Sequence, residues 1–291
     1  MSIFTGSGVA IVTPFNRDGI DFDAFDRLIH FQLENRTDAI IVCGTTGEAS
    51  TLSAEEKLAA IRFVVERVAG RVPVIAGTGG NNTSSVIASS VQACELKVDG
   101  LLIVTPYYNK TSQPGIIAHY NAIADAVSAP IIAYNVPGRT GLNLLPATTR
   151  EILKHRNVVG VKEASGNIEQ IVTLAALCPD CDIYAGNDDH VVPMMAVGAK
   201  GVISTIANVI PRDMHDMCEA FLSGNVIAAK ELQFKIHPIW KAAFCETNPI
   251  PIKTMVSLMG LCDGALRLPL VPPSAANFAF MREAMQNYGL I

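Results

Sequence analysis

The sequence predicts a (β/α)8 barrel with a C-terminal helical extension. The chain has 291 residues, which fits one barrel of roughly 250 residues plus an extension. Short apolar runs rich in Val and Ile recur along it, as expected for strands buried on both faces of a parallel sheet. Segments with helical periodicity separate these runs. The predicted strands are 9–12, 40–42, 74–76, 101–104, 131–133, 158–161, 183–185 and 202–203.

Helix signals occur between the apolar runs. Residues 21–35 carry an apolar stripe at helical spacing, so a helix is predicted there. Ser53 and Glu56 have the spacing of a capping box, which predicts that the next helix begins at this point. Residues 167–170 (NIEQ) suggest the same device before a later helix. The alternation of strand and helix signals is therefore continuous.

One barrel is expected over residues 1–224, because eight strand–helix alternations pass without a break in composition. A doubly wound sheet is the rival fold, but it usually has a Gly-rich phosphate turn after its first strand. Here the first strand runs into Thr13-Pro14-Phe15 instead. From residue 225 to 291 the pattern is helical, and we read this part as an extension packed on the barrel. The helices predicted in it are 225–240, 249–259 and 274–288.

Charge and composition narrow the classes of function. The formal net charge is −5 and the pI is about 5.7, so neither nucleic acid nor an anionic membrane is expected as the main partner. The N-terminus lacks the pattern of a signal peptide, and no apolar run reaches the ~18 residues of a membrane span. Seven scattered cysteines favour a reducing compartment over a disulfide framework. A cytoplasmic protein is expected.

Metal and redox sites are not expected. Cys178 and Cys181 form a CxxC motif, but no second pair or histidine follows at zinc-ligand spacing. The motif also ends a predicted helix, whereas a redox pair begins one. The six histidines show no HxH or HExxH pairing. We interpret the two cysteines as loop residues and predict neither a metal nor a cofactor.

Polar residues follow the predicted strands, and in a barrel the active site lies at the carboxyl ends of the strands. Lys162 ends the sixth strand and shares a face with Val158 and Gly160. A lysine at this position points into the barrel mouth, although a lysine extending into water is the alternative. Schiff-base chemistry requires a neutral amine, which desolvation favours. Lys162 is therefore the principal catalytic candidate.

Other strand ends supply further candidates. Tyr134 ends the fifth strand, where a phenol suits proton transfer. Thr45 and Thr46 lie in a Gly-bounded loop with hydroxyls and backbone N–H groups available to a carboxylate. Arg139 follows Pro-Gly and is a candidate carboxylate clamp. The pair 188–189 (DD) is expected to cap the helix after the seventh strand rather than to bind a metal.

Four motifs occur in order along the chain: 44–48 (GTTGE), 105–108 (TPYY), 134–141 (YNVPGRTG) and 161–164 (VKEA). Together they resemble the signature of the pyruvate-dependent class I aldolase family, and the likeness extends over essentially the whole chain. The resemblance implies a lyase that condenses pyruvate with a second carbonyl compound. The arginine after Pro-Gly, with 248–253 (NPIPIK) and 266–269 (LRLP), points to L-aspartate 4-semialdehyde as that compound, in diaminopimelate and lysine biosynthesis.

The resemblance also implies roles for single residues. Lys162 forms the imine with pyruvate, and Tyr134 donates and accepts the proton. Thr45 completes a proton relay with Tyr108, which reaches in from a neighbouring subunit of a homotetramer built as a dimer of dimers. The remaining substrate-binding residues are Thr46 for the pyruvate carboxylate, with main chain near Gly186 and Ile203, and Arg139 for the carboxylate of the aldehyde.

One departure from the family concerns regulation. Lysine-inhibited relatives carry a histidine and a glutamate at the site that binds lysine, and the matching residues here are Lys57 and Ser85. A cation in place of histidine and the lack of a carboxylate predict weak or absent feedback inhibition.

Three other functions remain open at this point. The first is an aldolase of the same family acting on a sugar acid or hydroxy-oxo-acid. The second is a non-catalytic barrel scaffold, although Lys162 and Tyr134 are both retained. The third is a flavin- or phosphate-binding barrel, which would need a Gly-rich phosphate loop after the seventh or eighth strand.

Overall fold

The computed structural model describes residues 2–291, and their strands form a closed parallel barrel. The first strand pairs with both the second and the eighth, which closes the sheet. The (β/α)8 fold predicted from the sequence is therefore confirmed. In chain order, the barrel strands are Gly6–Ala10, Ala39–Val42, Val74–Gly77, Gly100–Val104, Ile131–Asn135, Val158–Glu163, Asp182–Ala185 and Gly201–Ser204.

The first strand begins three residues earlier than predicted. Gly6 pairs with Gly201, where a Cβ would lie 1.9 Å from the carbonyl oxygen of Gly6. The small residues, which the search for apolar runs passed over, let these strands approach closely. At the other end, the N–H of Val12 donates to Oδ1 of Asn208 at 3.0 Å, so the chain has left the ladder by that residue.

Helices surround the barrel and continue beyond it. Ser53 and Glu56 form the predicted capping box of α2. Asn167 accepts the N–H of Gln170 at the start of α7, as the 167–170 pattern indicated. The helices are α1 Phe22–Glu34, α2 Ala54–Val68, α3 Thr83–Glu95, α4 Gln113–Ala126, α5 Pro137–Thr140, α6 Pro146–Ile152, α7 Ile168–Leu177, α8 Val191–Ala196, α9 Pro211–Leu222, α10 Val226–Lys235, α11 His237–Ala243, α12 Ile250–Leu258 and α13 Ala275–Tyr288.

The extension differs from the prediction in one element. The single helix expected over 225–240 is two helices, α10 and α11, which meet at Ile236. Pro238 lies in the first turn of α11, where its missing N–H costs least. A proline in the middle of one continuous helix would have removed a hydrogen bond and clashed with the preceding turn.

Apolar side chains pack in two layers. One layer fills the space between the strands and the surrounding helices. The other fills the inside of the barrel and includes Ile41, Ile132, Tyr134, Tyr184 and Ile203. Because the strand interior is filled, ligands have access only at the ends of the barrel.

Candidate active site

A cavity of about 320 Å³ opens at the carboxyl ends of the strands. The strand ends and the loops after them supply its walls, as the fold predicts. Six of the candidate residues line it: Thr45, Thr46, Tyr134, Arg139, Lys162 and Gly186. The structure thus brings together residues that are up to 141 positions apart in the chain.

Lys162 lies inside this cavity with only 6% of its surface exposed. Burial lowers the pKa of its amine to about 8, and the positive charge of Arg139 acts in the same direction. The carboxylate of Asp188 opposes both effects. A much larger fraction of this amine is therefore neutral than in an exposed lysine.

Tyr134 lies beside Lys162, because the two residues are register partners on neighbouring strands. Nζ of Lys162 is 4.4 Å from the centre of the Tyr134 ring. Burial raises the pKa of the Tyr134 phenol, whereas Arg139 and the hydroxyl of Thr45 lower it. A phenol that keeps its proton beside an amine suits proton transfer at this position.

Thr46 and Arg139 are held by the same residue of the extension. Nδ2 of Asn248 donates to Oγ1 of Thr46 at 3.0 Å, and the Asn248 carbonyl accepts from Nη2 of Arg139 at 2.9 Å. Arg139 is itself exposed in the short helix α5. Its guanidinium is thus fixed at the cavity wall while solvent and ligands can still reach it.

Gly186 and Ile203 differ in their position relative to the cavity. Gly186 lines the cavity, and a Cβ at that position would lie 2.5 Å from Cβ of Ala164, so a side chain does not fit. Ile203 is fully buried in the barrel interior and does not line the cavity. Of these two residues, the cavity wall therefore includes Gly186 alone.

Tyr108 does not contribute to the cavity within one chain. Its side chain is 91% exposed and its backbone is left-handed, with φ of +69°. The neighbouring Tyr107 lines the cavity instead. An exposed tyrosine at the rim is the arrangement expected if this residue acts on a second subunit.

Asp188 corrects the sequence prediction. Its Oδ2 accepts the N–H groups of Thr205 and Ile206, at 3.1 and 3.3 Å, at the start of the 3₁₀ turn after the eighth strand. The helix after the seventh strand, α8, begins without a side-chain cap. Burial raises the pKa of Asp188 to about 6, and the Lys162 amine counteracts this rise. The sequence reading missed its electrostatic role because strand pairing, and not sequence spacing, brings the seventh and eighth strand ends together.

A buried polar network lies behind the sixth strand. The Glu163 carboxylate accepts from the amide nitrogen of Asn135 at 3.0 Å, from that of Gln170 at 3.3 Å and from the N–H of Ser165. Asn143 hydrogen-bonds to both amide side chains. These residues fix the strand end that carries Lys162. The sequence analysis did not predict this network, although Glu163 lies in the motif 161–164 directly after Lys162.

The CxxC motif lies at the opposite end of the barrel from Lys162. Cys178 ends α7 and Cys181 precedes the seventh strand, as predicted, and both are free thiols. Burial raises the pKa of both. Within residues 2–291, no three His, Cys, Asp or Glu side chains are grouped to hold a metal ion. Over the same residues, no helix is both long and apolar enough to cross a bilayer.

The fold and site define a (β/α)8 barrel with a desolvated lysine at the strand ends, an arrangement typical of enzymes that bind carbonyl substrates on lysine. Residues 3–287 match the model of the dihydrodipicolinate synthetase family, and the chain belongs to that family.

Individual relatives cover the whole chain. The 4-hydroxy-tetrahydrodipicolinate synthase of Caldicellulosiruptor saccharolyticus is 55% identical over 100% of this chain and 99% of its own. The crystal structure of dihydrodipicolinate synthase from Thermotoga maritima superposes with a TM-score of 0.97 at 41% identity, covering both chains completely. A monomeric variant of dihydrodipicolinate synthase superposes equally well, also at 41% identity, over 99% of this chain and 98% of its own. These relatives support the synthase interpretation and not the sugar-acid aldolase or scaffold alternatives.

Proposed function

We propose that the chain is a lyase that binds pyruvate as an imine on Lys162 and condenses it with L-aspartate 4-semialdehyde. The product is 4-hydroxy-tetrahydrodipicolinate, in diaminopimelate and lysine biosynthesis. One observation carries the proposal: a buried lysine amine with a pKa of about 8 lies in the cavity beside Tyr134. The name shared by full-length relatives supports the choice of substrates.

The state of the Lys162 amine explains why it is the nucleophile. With a pKa of about 8, roughly a tenth of the amines are neutral at pH 7, against roughly three in ten thousand for an unperturbed lysine. The neutral nitrogen attacks C2 of pyruvate and forms a carbinolamine. Loss of water then gives the imine, which draws electrons away from C3.

Proton transfer is assigned to Tyr134. Its phenol protonates the leaving hydroxyl of the carbinolamine and later accepts the proton that C3 loses as the enamine forms. Thr45 lies next to the phenol and begins a relay to solvent. Tyr108 of a neighbouring subunit completes the relay, which requires an oligomer.

The two carboxylates of the substrates bind at separate places. Thr46, with main chain near Gly186 and Ile203, binds the pyruvate carboxylate. Arg139 binds the carboxylate of the semialdehyde, for which an exposed guanidinium at the rim is well placed. The enamine carbon then attacks the aldehyde, which forms the carbon–carbon bond and leaves a hydroxyl. Finally the substrate amine attacks C2, closes the ring and displaces the Lys162 amine.

Several further assignments belong to the same proposal. The imine supplies the electron sink, so this chemistry needs no metal or other cofactor. We propose a homotetramer built as a dimer of dimers, and the cytoplasm as its compartment, since a reducing medium suits cysteines that pack as apolar side chains. The division into a barrel over 1–224 and an extension over 225–291 is likewise our proposal.

The test is turnover of pyruvate and aspartate semialdehyde, followed by a coupled NADPH-dependent reductase. Product formation is expected for the unmodified protein and is expected to disappear in Lys162→Ala. Lys200→Ala is the matched control, because Lys200 lies at the opposite end of the barrel and should leave turnover unchanged. Borohydride should trap pyruvate on the unmodified protein and not on Lys162→Ala. Trapping without turnover would reject the proposed aldehyde, and the lack of both would reject the proposed function.

A further inference from the structure

A buried ion pair joins the loop after the second strand to the C-terminal extension. Nζ of Lys253, in the first turn of α12, is 2.5 Å from Oε1 of Glu48, and both side chains are fully buried. Oε2 of Glu48 accepts the N–H of Arg267 at 3.1 Å. Residues of the extension thus hold both oxygens of this carboxylate.

Glu48 ends the turn that carries Thr45 and Thr46. Its backbone is left-handed, with φ of +53°, a conformation that residues other than glycine seldom adopt. Its N–H donates to the carbonyl of Thr45 at 3.1 Å. The preceding Gly47 is fixed from the barrel side, because its carbonyl accepts the Thr13 hydroxyl at 2.7 Å. The strained end of the turn is therefore the part that depends on the side chain of Glu48.

The Glu48–Lys253 ion pair is packed against an aromatic ring. The Phe15 ring has Nζ of Lys253 at 3.9 Å and Cζ of Arg267 at 4.2 Å from its centre. The guanidinium of Arg267 is in turn paired with Glu56 at the surface. Because both side chains are fully buried beside an aromatic ring, the Glu48 carboxylate is shielded from solvent that could replace its ammonium partner. Glu48 can keep its position only while the extension is in place.

We propose that the Glu48–Lys253 ion pair is a positioning device that sets where the Thr46 hydroxyl meets the pyruvate carboxylate and where the Thr45 hydroxyl meets the Tyr134 phenol. The device makes pyruvate binding depend on the C-terminal extension, which otherwise lies outside the barrel. Asn248 gives the same extension a direct hydrogen bond to Thr46. The inference rests on the proposed function, because it specifies how that function's pyruvate subsite is held.

The test compares the double variant Glu48→Gln/Lys253→Met with the unmodified protein. The double change removes both charges and retains the approximate shape, a replacement that buried pairs often tolerate. We expect the KM for pyruvate to rise about tenfold and the KM for the semialdehyde to change less than about twofold. The pyruvate concentration that gives half-maximal borohydride trapping should rise by the same factor. Lys235→Met is the matched control, since it removes an exposed lysine of the same extension, paired with Asp213 of α9, and should change neither constant.

The possible results separate the two proposals. If pyruvate is not trapped on the unmodified protein, the proposed function fails, and this inference with it. If trapping occurs and the double variant has unchanged pyruvate constants, the proposed function stands and the positioning role is wrong. If the double variant does not fold, Glu48→Gln alone takes its place, because the amide oxygen can still accept from Lys253. In Glu48→Gln, the backbone amides of residues 47 and 48 should exchange with deuterium faster than in the unmodified protein, while the barrel-strand amides do not change. Exchange at the rate of the unmodified protein, together with an unchanged pyruvate KM, would overturn the inference.

Discussion

Among single residues, Lys162 has the most unusual surroundings. Burial and Arg139 favour its neutral form, and Asp188 favours its charged form. A buried carboxylate near the amine keeps the pKa close to 8 and so prevents a larger fall. Each of these contributions can be tested by the pH dependence of the reaction or of folding.

Asp188→Asn is expected to shift the acid limb of the pH profile of kcat/KM for pyruvate to lower pH by about one unit. The reason is that removing a carboxylate removes a contribution that raises the pKa of Lys162. Asparagine still offers an oxygen to the Thr205 and Ile206 N–H groups. Asp189→Asn, which changes a neighbouring carboxylate paired with His190, should leave the limb in place. A limb that stays or moves to higher pH in Asp188→Asn would contradict the assignment.

The stability of the protein relative to Lys162→Met should increase with pH between about 8 and 10.5. The folded-state pKa is depressed to about 8 from the ordinary lysine value of 10.5, so over this interval the unfolded chain binds more protons than the native one. Protonation therefore opposes folding below pH 8, and the penalty disappears above 10.5. Urea unfolding at pH 8 and pH 10 should show the difference between the two proteins change by about 2 kcal/mol in favour of the unmodified chain. A constant difference would show that Lys162 has an ordinary pKa.

Among elements, the strand ends depend on polar contacts that are buried with them. The sixth strand ends in Glu163, whose carboxylate takes hydrogen bonds from α7 and from the fifth strand. The second strand ends in a turn held by α12 through Glu48 and Lys253. At both strand ends, a residue of the proposed site is followed by a glutamate, and a neighbouring helix holds that glutamate in position.

Asn135→Ala should destabilise the protein by about 2–4 kcal/mol, because it removes one of the three donors to the buried Glu163 carboxylate and leaves unpaired the Leu144 N–H, which Oδ1 of Asn135 accepts at 2.9 Å. Chemical denaturation measures this loss. Asn16→Ala, at an exposed position of the hairpin Phe15–Ile20, is the control and should change stability by less than about 0.5 kcal/mol. Equal losses in the two variants would mean that the buried network contributes nothing specific.

Helices α2 and α3 carry the two residues that depart from lysine-inhibited relatives. Lys57 lines the cavity, and Ser85 is exposed in the first turn of α3. The weak feedback inhibition expected from these residues stays a prediction, and low-millimolar lysine that halves the rate would refute it. Lys57→His/Ser85→Glu is expected to increase the sensitivity to lysine, because it removes a like charge and adds a carboxylate for the effector's amine. Each single variant serves as a control for the double one.

At the scale of the whole molecule, Tyr108 connects catalysis to assembly. Its hydroxyl has no place in the cavity of its own chain, since its side chain is 91% exposed. If it acts across subunits, inactive Tyr108→Phe and Lys162→Ala chains should complement each other when mixed and reassembled. Half of randomly formed dimers would be mixed, and each mixed dimer would hold one intact site, giving about a quarter of the unmodified activity. No recovery, with mixed oligomers shown by native mass spectrometry, would place Tyr108 outside the partner's site.

Sequence patterns determined the repeating elements of this fold. The spacing of apolar runs gave eight strands in the right order, because strands buried on both faces must be apolar throughout. The capping box at Ser53 and Glu56 predicted the start of α2 because a cap is a local contact. Lys162 was found because a charged residue ending an apolar strand is conspicuous. Pro238 was overlooked, so one predicted helix became two.

Contacts between distant parts of the chain were decided only by the tertiary structure. Barrel closure brought Asp188 against the turn after the eighth strand, where it affects Lys162. Packing of the extension placed Lys253 on Glu48, 205 residues away, and Asn248 on Thr46. Local sequence patterns indicate which face of a helix or strand is buried. They do not indicate which buried charged side chains will contact each other. The chain's chemistry was therefore readable from its strand ends, whereas the pKa of its amine and the support of its pyruvate loop depended on the closed barrel.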